Sequence, residues 1–147
     1  MKPSDICLIH EDARWEPHDA ALQAAALAAL KAEAVQGSVN IMLADDAQVQ
    51  ALNRDYRQKD KPTNVLSFPD GEDDHLGDIA MAFETIAREA VEQQKPFEAH
   101  AQHLVVHGIL HLLGYDHELV EAEAEAMEAR EIDILSGLGI ANPYDER

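Results

Sequence analysis

The stretch Pro96-Phe-Glu-Ala-His-Ala-Gln-His-Leu-Val-Val-His-Gly-Ile-Leu-His-Leu-Leu-Gly114 contains the element from which the fold of this chain is best predicted. Proline is favoured at the start of a helix, and glycine is favoured just past its end. We therefore predict one long, largely apolar helix that begins at Pro96 and stops at Gly114. Several histidines lie along this helix, so it also contains candidate metal ligands.

Three of the histidines in and just after this helix have the spacing of metal ligands. His107 and His111 are four residues apart, which places their Cβ atoms about 5–6 Å from each other on one face. Gly114 can adopt the left-handed conformation that lets the chain turn back, so that His117 approaches the same point. Three imidazoles suit zinc and leave a fourth position open, as in catalytic zinc sites. We predict that His107, His111 and His117 bind one Zn²⁺ per chain, although nickel or copper would also be accepted.

The other histidines are predicted to have different roles. His103 lies one turn before His107 on the same face, and we expect it to support the site or pack beside it rather than act as a fourth ligand. The remaining four have no ligand-like spacing and are expected to be solvated or structural: His10, His18, His75 and His100.

Alternating strand and helix patterns surround the central helix. Strands are predicted at residues 6–9, 38–44, 63–68 and 76–83, and further helices at 17–37, 45–56, 84–94 and 118–138. Asp45, with Gln48 three residues later, is a good helix N-cap. The order predicts an α+β fold in one domain spanning residues 1–147, with about four strands in a mixed sheet, surrounding helices, and the histidine site at a helix C-terminal turn.

Composition excludes several classes of protein. With 46% hydrophobic and 27% charged residues, the chain is of ordinary globular composition. Its apolar runs are far shorter than the roughly 18 residues of a membrane span, and its acidic N-terminal region does not resemble a secretory signal, which predicts a cytoplasmic protein. Cys7 is the only cysteine, so neither an internal disulfide nor a multi-cysteine zinc cage can form.

The net charge of −18 argues against a nonspecific nucleic-acid coat protein. Residues 53–63 differ from the remainder, because they contain four of the eleven bases and have a net charge of +2, which leaves −20 elsewhere. At physiological salt, screening acts over about 8 Å, so a local basic patch can bind phosphate on an acidic protein. An ordinary solvated loop would also explain this segment.

Four motifs occur in a fixed order: Tyr56-Arg57-x-Lys59, Thr63-Asn-Val-Leu-Ser-Phe-Pro69, Leu76-Gly-Asp-Ile79 and His107-Gly-x-Leu-His-Leu-x-Gly-Tyr-Asp-His117. Together they resemble the bacterial YbeY family. The resemblance implies a zinc-dependent, single-strand-specific endoribonuclease in late small-subunit rRNA 3′-end maturation and ribosome quality control. It also implies an important arginine at Arg57, and RNA or partner contacts at Lys59 and Asp78. Small-subunit ribosomal proteins and a ribosome-assembly GTPase are the implied partners.

The chemistry of the predicted site leaves alternatives open. The histidine spacing overlaps that of metzincin proteases, but Gly108 stands where those enzymes have the glutamate that activates water. A metal-dependent peptidase or amidase is therefore disfavoured, and a non-catalytic, zinc-braced ribosome-assembly factor is the other alternative. For RNA cleavage, Arg57 would stabilise charge on the phosphoryl oxygens. Either an activated water or the RNA 2′-hydroxyl would be the nucleophile.

Overall fold

The computed structural model describes residues 5–70, 74–115 and 121–144. The strands in these ranges are β1 (Asp5–His10), β2 (Ser38–Ala44), β3 (Val65–Pro69) and β4 (His75–Ala82). The α-helices are α1 (Asp19–Ala32), α2 (Asp46–Arg57), α3 (Phe83–Glu92), α4 (Phe97–Leu112) and α5 (Glu121–Gly137). A short 3-10 helix, Ala13–His18, precedes α1.

The four strands form one mixed sheet in the order β1-β2-β4-β3. Strands β1, β2 and β4 are parallel, and β3 runs antiparallel to β4 at the edge. Ile79 of β4 lies between Ile41 of β2 and Ser67 of β3. The predicted α+β fold with a four-stranded mixed sheet is therefore confirmed.

The larger core lies between one face of the sheet and helices α1 and α4, and α5 packs against these two helices. Side chains alternate between the two faces of a strand, and on β2 the residues Val39, Ile41 and Leu43 are fully buried in this core. Helix α4 contributes the largest helical share, because its buried positions follow almost the whole length of the helix. This burial explains why the stretch from Pro96 to Gly114 is so apolar.

Helix α2 covers part of the opposite face of the sheet. Its start is fixed by the predicted capping box: the Asp45 carboxylate accepts from the backbone of Gln48 at 2.8 Å, and the Gln48 side chain accepts from the backbone of Asp45 at 3.1 Å. Val49 packs below it against Leu66 of β3 in a second, smaller core cluster. This helix therefore delivers Arg57, its last residue, to the edge strand β3.

The prediction of one helix over residues 17–37 was wrong at both ends. Pro17 lies inside the preceding 3-10 helix, and α1 ends at Ala32. The chain leaves α1 through Ala34, which adopts a left-handed φ of 56°. Gly37 serves a different purpose, because a Cβ there would lie only 2.9 Å from Cγ of Leu76. The glycine permits a close approach beside the sheet rather than ending the helix.

Both ends of α4 and the C-terminal end of α5 follow the prediction more closely. Pro96 is the N-cap of α4, and Gly114 follows the helix with a left-handed φ of 104°. In α5, the side chains of Met127 and Ile134 are buried against the core, whereas residues 118–120 of the predicted helix lie outside the described residues. No helix in the described ranges has the length and apolar character needed to cross a lipid bilayer.

Candidate functional site

Two histidines of α4 bring their ring nitrogens together as the spacing predicted. The Nε2 atoms of His107 and His111 lie 3.1 Å apart. Nδ1 of His111 lies 2.9 Å from the backbone carbonyl of Tyr115, and because a carbonyl can only accept, this nitrogen is the donor. Nδ1 of His107 lies 3.2 Å from the carboxylate of Glu131. Each ring therefore presents Nε2 as its lone-pair nitrogen.

The turn at Gly114 produces the contact between His111 and Tyr115. The amide of Tyr115 bonds back to the carbonyl of Leu110 at 3.0 Å, which reverses the chain and places the Tyr115 carbonyl on the imidazole of His111. The Tyr115 hydroxyl is itself held by Glu33 at 2.8 Å. The orientation of His111 therefore depends on the helix terminus and on a contact with the end of α1.

The donor set of this pair fits a divalent metal. Two nitrogens bound to one tetrahedral zinc at about 2.05 Å lie about 3.3 Å from each other, which is close to the 3.1 Å seen between His107 and His111. Residues 5–70, 74–115 and 121–144 contain no group of three histidine, cysteine or carboxylate side chains arranged around one point. The third predicted ligand, His117, lies outside those ranges.

A buried carboxylate stands behind the histidine pair. Glu131 of α5 is 1% exposed, and its Oε1 lies 2.7 Å from Nε2 of His103 and 3.2 Å from Nδ1 of His107. Burial acts to raise the pKa of Glu131, but the hydrogen bonds from these two rings outweigh burial and lower it to about 2. The carboxylate is therefore ionised across the physiological range and accepts from both rings.

The hydroxyl of Tyr144 closes this network near the C-terminal end of the described chain. It lies 2.9 and 3.0 Å from the two oxygens of Glu131, to which it donates, and 3.3 Å from Nε2 of His103. Burial and the nearby carboxylate raise the pKa of the Tyr144 phenol. The tyrosine consequently remains a neutral hydrogen-bond donor to Glu131.

The position after His107 faces the sheet. A Cβ on Gly108 would lie 3.0 Å from Cδ1 of Ile79 and 3.2 Å from Oγ of Ser67. The Ser67 hydroxyl also donates to the Gly108 carbonyl at 3.3 Å. A glutamate at position 108 would therefore be directed into β3 and β4. This packing explains why position 108 is glycine. It also shows that the site lacks the water-activating glutamate of the metzincin pattern for a structural reason.

The histidine pair opens into a polar cavity of about 770 Å³. Three bases contribute to its walls, namely Arg57, Lys59 and Lys61, and no aspartate or glutamate of the described ranges lines it. Arg57 donates from its guanidinium to the backbone carbonyl of Ser67 and lies 5.2 Å from the ring centroid of Phe68. The cavity is therefore locally basic although the chain is strongly acidic.

The basic segment reaches the cavity because of how α2 ends. Gln58 adopts a left-handed φ of 58°, and the amide of Lys59 then bonds to the carbonyl of Asn53. The side-chain amide of Asn53 donates to the backbone carbonyl of Lys61 at 3.0 Å, so the returning chain is hydrogen-bonded to the helix. At the far end of the segment, Asn64 donates to a carboxylate of α3, that of Glu89, at 3.0 Å.

The structure brings together four of the six predicted site residues. Arg57, Lys59, His107 and His111 all line the polar cavity. Asp78 does not, because it lies on the face of the sheet covered by α2, beside a separate and mainly apolar cavity of about 490 Å³. There it accepts from Asn40 at 3.0 Å and lies 3.0 Å from Nε2 of His75.

The histidines predicted to be structural have identifiable partners. His10 contacts Asp19, His18 contacts Glu98, and His75 contacts Ser38 and Asp78, each within 3.0 Å. His100 is buried with Nε2 2.9 Å from Glu89. Burial lowers the pKa of His100 despite this carboxylate.

Sequence reasoning missed the residues that support the site. Glu131 is one of several acidic residues of α5, and the others are mostly exposed. Its residue type and spacing therefore did not predict a role in the site. Glu131 lies one turn after Met127 on the same face of α5, and this position was the one indication in the sequence that its carboxylate would be buried. Ser67 was quoted only as part of a motif, although it contacts both Arg57 and Gly108.

Comparison with protein families identifies relatives over nearly the whole chain. The family model described as "Endoribonuclease YbeY" matches residues 10–139. A protein of that name from Magnetococcus marinus is 54% identical over 120 residues, which cover 72% of this chain and 82% of the relative. Another from a Bradyrhizobium species is 53% identical over 133 residues, covering 84% and 78%.

A solved structure agrees with the fold described above. The solution structure of the protein TM1509 from Thermotoga maritima aligns with a TM-score of 0.64 and 30% sequence identity. The alignment covers 89% of this chain and 87% of that one. The arrangement of sheet and helices is therefore shared with a natural protein of similar length.

Proposed function

Because the chain belongs to the YbeY endoribonuclease family, we propose that it is a zinc-dependent endoribonuclease that cleaves single-stranded RNA. The observation that carries this proposal is one cavity lined by His107 and His111, with their Nε2 atoms 3.1 Å apart, and by three bases. We further propose that its substrate is the 3′ end of small-subunit rRNA in the cytoplasm. Small-subunit proteins and a ribosome-assembly GTPase would be its partners, and ribosome quality control a further role.

The metal ligands in this proposal are His107, His111 and His117. The first two present Nε2 to a common point, and imidazole nitrogen is a preferred ligand of zinc. A bound divalent metal supplies Lewis acidity toward a phosphoryl oxygen or a water molecule. The cavity has no aspartate or glutamate among its described lining residues, so this Lewis acidity would take the place of a carboxylate base.

Arg57 is proposed to bind the scissile phosphate. Its guanidinium has five N–H donors in a planar fork that matches phosphate oxygens. The Ser67 carbonyl and the Phe68 ring hold the group at the cavity wall, so little ordering is needed when the phosphate arrives. Such preorganised donors stabilise the charge that develops on the phosphoryl oxygens in the transition state.

Lys59 and Lys61 are proposed to contact neighbouring phosphates of the same strand. Both lie in the segment that returns from α2 and line the cavity. Their contribution would be electrostatic and would weaken as salt is raised. Asp78 lies on the other face of the sheet, so we propose that it contacts a protein partner rather than the RNA at the cleavage site.

The test is cleavage of an end-labelled single-stranded RNA that spans the 3′ end of precursor small-subunit rRNA. We expect His111→Ala to lower the rate at least about 100-fold, since loss of a ligand should exceed the 10–100-fold effect of an outer partner. We expect Arg57→Glu to lower it by about 10²–10³. Cleavage by the His111→Ala protein at the wild-type rate would contradict a catalytic metal.

Matched controls separate the site from general effects. Arg54→Glu makes the same charge change one turn earlier on α2, where Arg54 pairs with Asp55 outside the cavity. His10→Ala removes an imidazole that contacts Asp19 away from the cavity. Both variants should cleave at close to the wild-type rate. If Arg54→Glu is as inactive as Arg57→Glu, the effect is one of overall charge.

The same preparation distinguishes the alternative functions. A zinc-braced assembly factor would lose its fold on chelation, without a separate loss of RNA cleavage in protein that remains folded. An endoribonuclease should lose cleavage while circular dichroism still reports the native fold. Casein, incubated with and without chelator, tests the peptidase alternative, which Gly108 disfavours because its position faces Ile79 and Ser67.

A further inference from the structure

We propose that Glu131 is a positioning residue of the metal centre, which directs Nε2 of His107 toward the ion by accepting the hydrogen on Nδ1. The inference rests on the metal site proposed above. It adds a residue from α5, which lies outside the four sequence motifs, and it specifies which nitrogen of His107 binds the metal.

The position of the Glu131 carboxylate determines which nitrogen of His107 carries the hydrogen. Oε1 of Glu131 lies 3.2 Å from Nδ1 of His107, and an ionised carboxylate can only accept. The ring is therefore held as the tautomer with hydrogen on Nδ1 and a lone pair on Nε2. Nε2 is the atom that faces Nε2 of His111 at 3.1 Å. The contact with Glu131 therefore determines both the tautomer and the orientation of the His107 ring.

The carboxylate is itself held from two further directions. His103 approaches Oε1 at 2.7 Å, and the Tyr144 hydroxyl donates to both oxygens. With Glu131 1% exposed, water has little access to compete for these bonds. A buried charge that would otherwise be costly is thus stabilised by hydrogen bonds, and its position is set by the packing of α5 on α4.

The contact between Glu131 and Nδ1 of His107 has a second consequence for the metal. A carboxylate bonded to the far nitrogen of a ligating imidazole raises the basicity of that ligand, and loss of such a partner commonly lowers metal affinity 10–100-fold. His111 has a neutral acceptor in the same place, the Tyr115 carbonyl. We therefore expect His107 to be the more strongly electron-donating ligand of the pair.

Helix α4 also provides a matched control. His100 lies two turns before His107 on the same helix, and Nε2 of His100 is 2.9 Å from the carboxylate of Glu89. The Glu89 pair has the same chemistry, but His100 is not among the residues that line the cavity. Glu89→Gln thus makes the same chemical change as Glu131→Gln without touching a proposed ligand.

The experiment measures the zinc dissociation constant by competition with a chelating dye, in wild-type, Glu131→Gln and Glu89→Gln protein. Circular dichroism and urea unfolding of the metal-free proteins report the fold. We expect zinc binding by Glu131→Gln to weaken by about 10–100-fold and that by Glu89→Gln to stay within about threefold of the wild type. A folded Glu131→Gln protein that binds zinc as tightly as the wild type would overturn the inference.

A second measurement needs no variant and decides the matter if Glu131→Gln does not fold. Long-range ¹H–¹⁵N spectra of the wild-type imidazoles should show His107 with hydrogen on Nδ1, and zinc should shift its Nε2 resonance. Zinc on Nδ1 would contradict the role of Glu131. If the wild-type protein binds no zinc at His107, the proposed metal centre fails as well, so the two failures are distinguishable.

Discussion

The hydroxyl of Ser67, on the edge strand β3, donates a 3.3 Å hydrogen bond to the backbone carbonyl of Gly108 in α4. This bond brings the helix so close to the sheet that a Cβ on Gly108 would meet Ile79 at 3.0 Å. The residue next to His107 is thus determined by packing, because only glycine fits this approach without displacing its neighbours.

Gly108→Glu, which recreates the protease motif, should destabilise the protein rather than confer peptidase activity. Overpacking costs about 1–3 kcal/mol, and an unpaired buried charge costs about 3–5 kcal/mol more. Urea unfolding measures the loss, and casein cleavage tests the activity. Gly139→Glu is the control, because a Cβ at Gly139 has no neighbour within 4 Å, although its left-handed φ of 81° adds some strain. A stable Gly108→Glu protein would show that α4 can move away from the sheet.

Arg57→Lys should impair RNA cleavage although the charge is retained. Lysine lacks the planar fork that can bind a phosphate and the Ser67 carbonyl together, so we expect a loss of about 10²–10³ in kcat. The measurement is single-turnover cleavage at saturating enzyme, with Arg54→Lys as the control. A wild-type rate would mean that only positive charge is required at this position.

Trp15→Phe should lower the free energy of unfolding by about 1–3 kcal/mol. The indole is fully buried, and its Nε1 donates to the Ala44 carbonyl at 2.9 Å. Phenylalanine would leave that carbonyl without this donor at the junction of β2 and α2. Urea denaturation followed by circular dichroism tests the prediction, since the variant lacks the tryptophan needed for fluorescence. A change below about 0.5 kcal/mol would contradict it.

Acid should destabilise the protein in part through His100. Burial lowers the pKa of His100 below its usual 6.5, so below about pH 6.5 the unfolded chain binds more protons than the folded one. Stability from this residue is therefore complete above that pH and declines as pH falls through the lowered pKa. His100→Asn should flatten the loss of unfolding free energy that metal-free protein shows as the pH is lowered below about 6.5. An unchanged slope would show that His100 does not contribute.

The parts of the structure that could be predicted from the sequence are those encoded by neighbouring residues. The capping box of Asp45 and Gln48 located the start of α2, and the spacing of His107 and His111 placed their rings together. The prediction for α1 failed because two signals had other causes. Pro17 belongs to a 3-10 helix. Gly37 is required because Leu76, which is distant in sequence, packs too close for a Cβ at that position.

Residues joined only by tertiary packing could not be found in advance. Glu131 reaches His107 across 24 positions of sequence because α5 packs on α4. Lys59 and Asp78 were grouped by their resemblance to family positions, yet the sheet separates them, since alternation along β4 directs Asp78 to the face covered by α2. Spacing predicts neighbours along an element, whereas these relationships depend on how elements are arranged.

Ser67 contacts Arg57 through its carbonyl and Gly108 through its hydroxyl. A single residue of an edge strand thereby acts as a spacer between the arginine and the histidine-bearing helix. A shift of β3 would therefore be transmitted both to Arg57 and to α4. The separation of Arg57 from the histidine pair therefore depends on the position of one strand, β3.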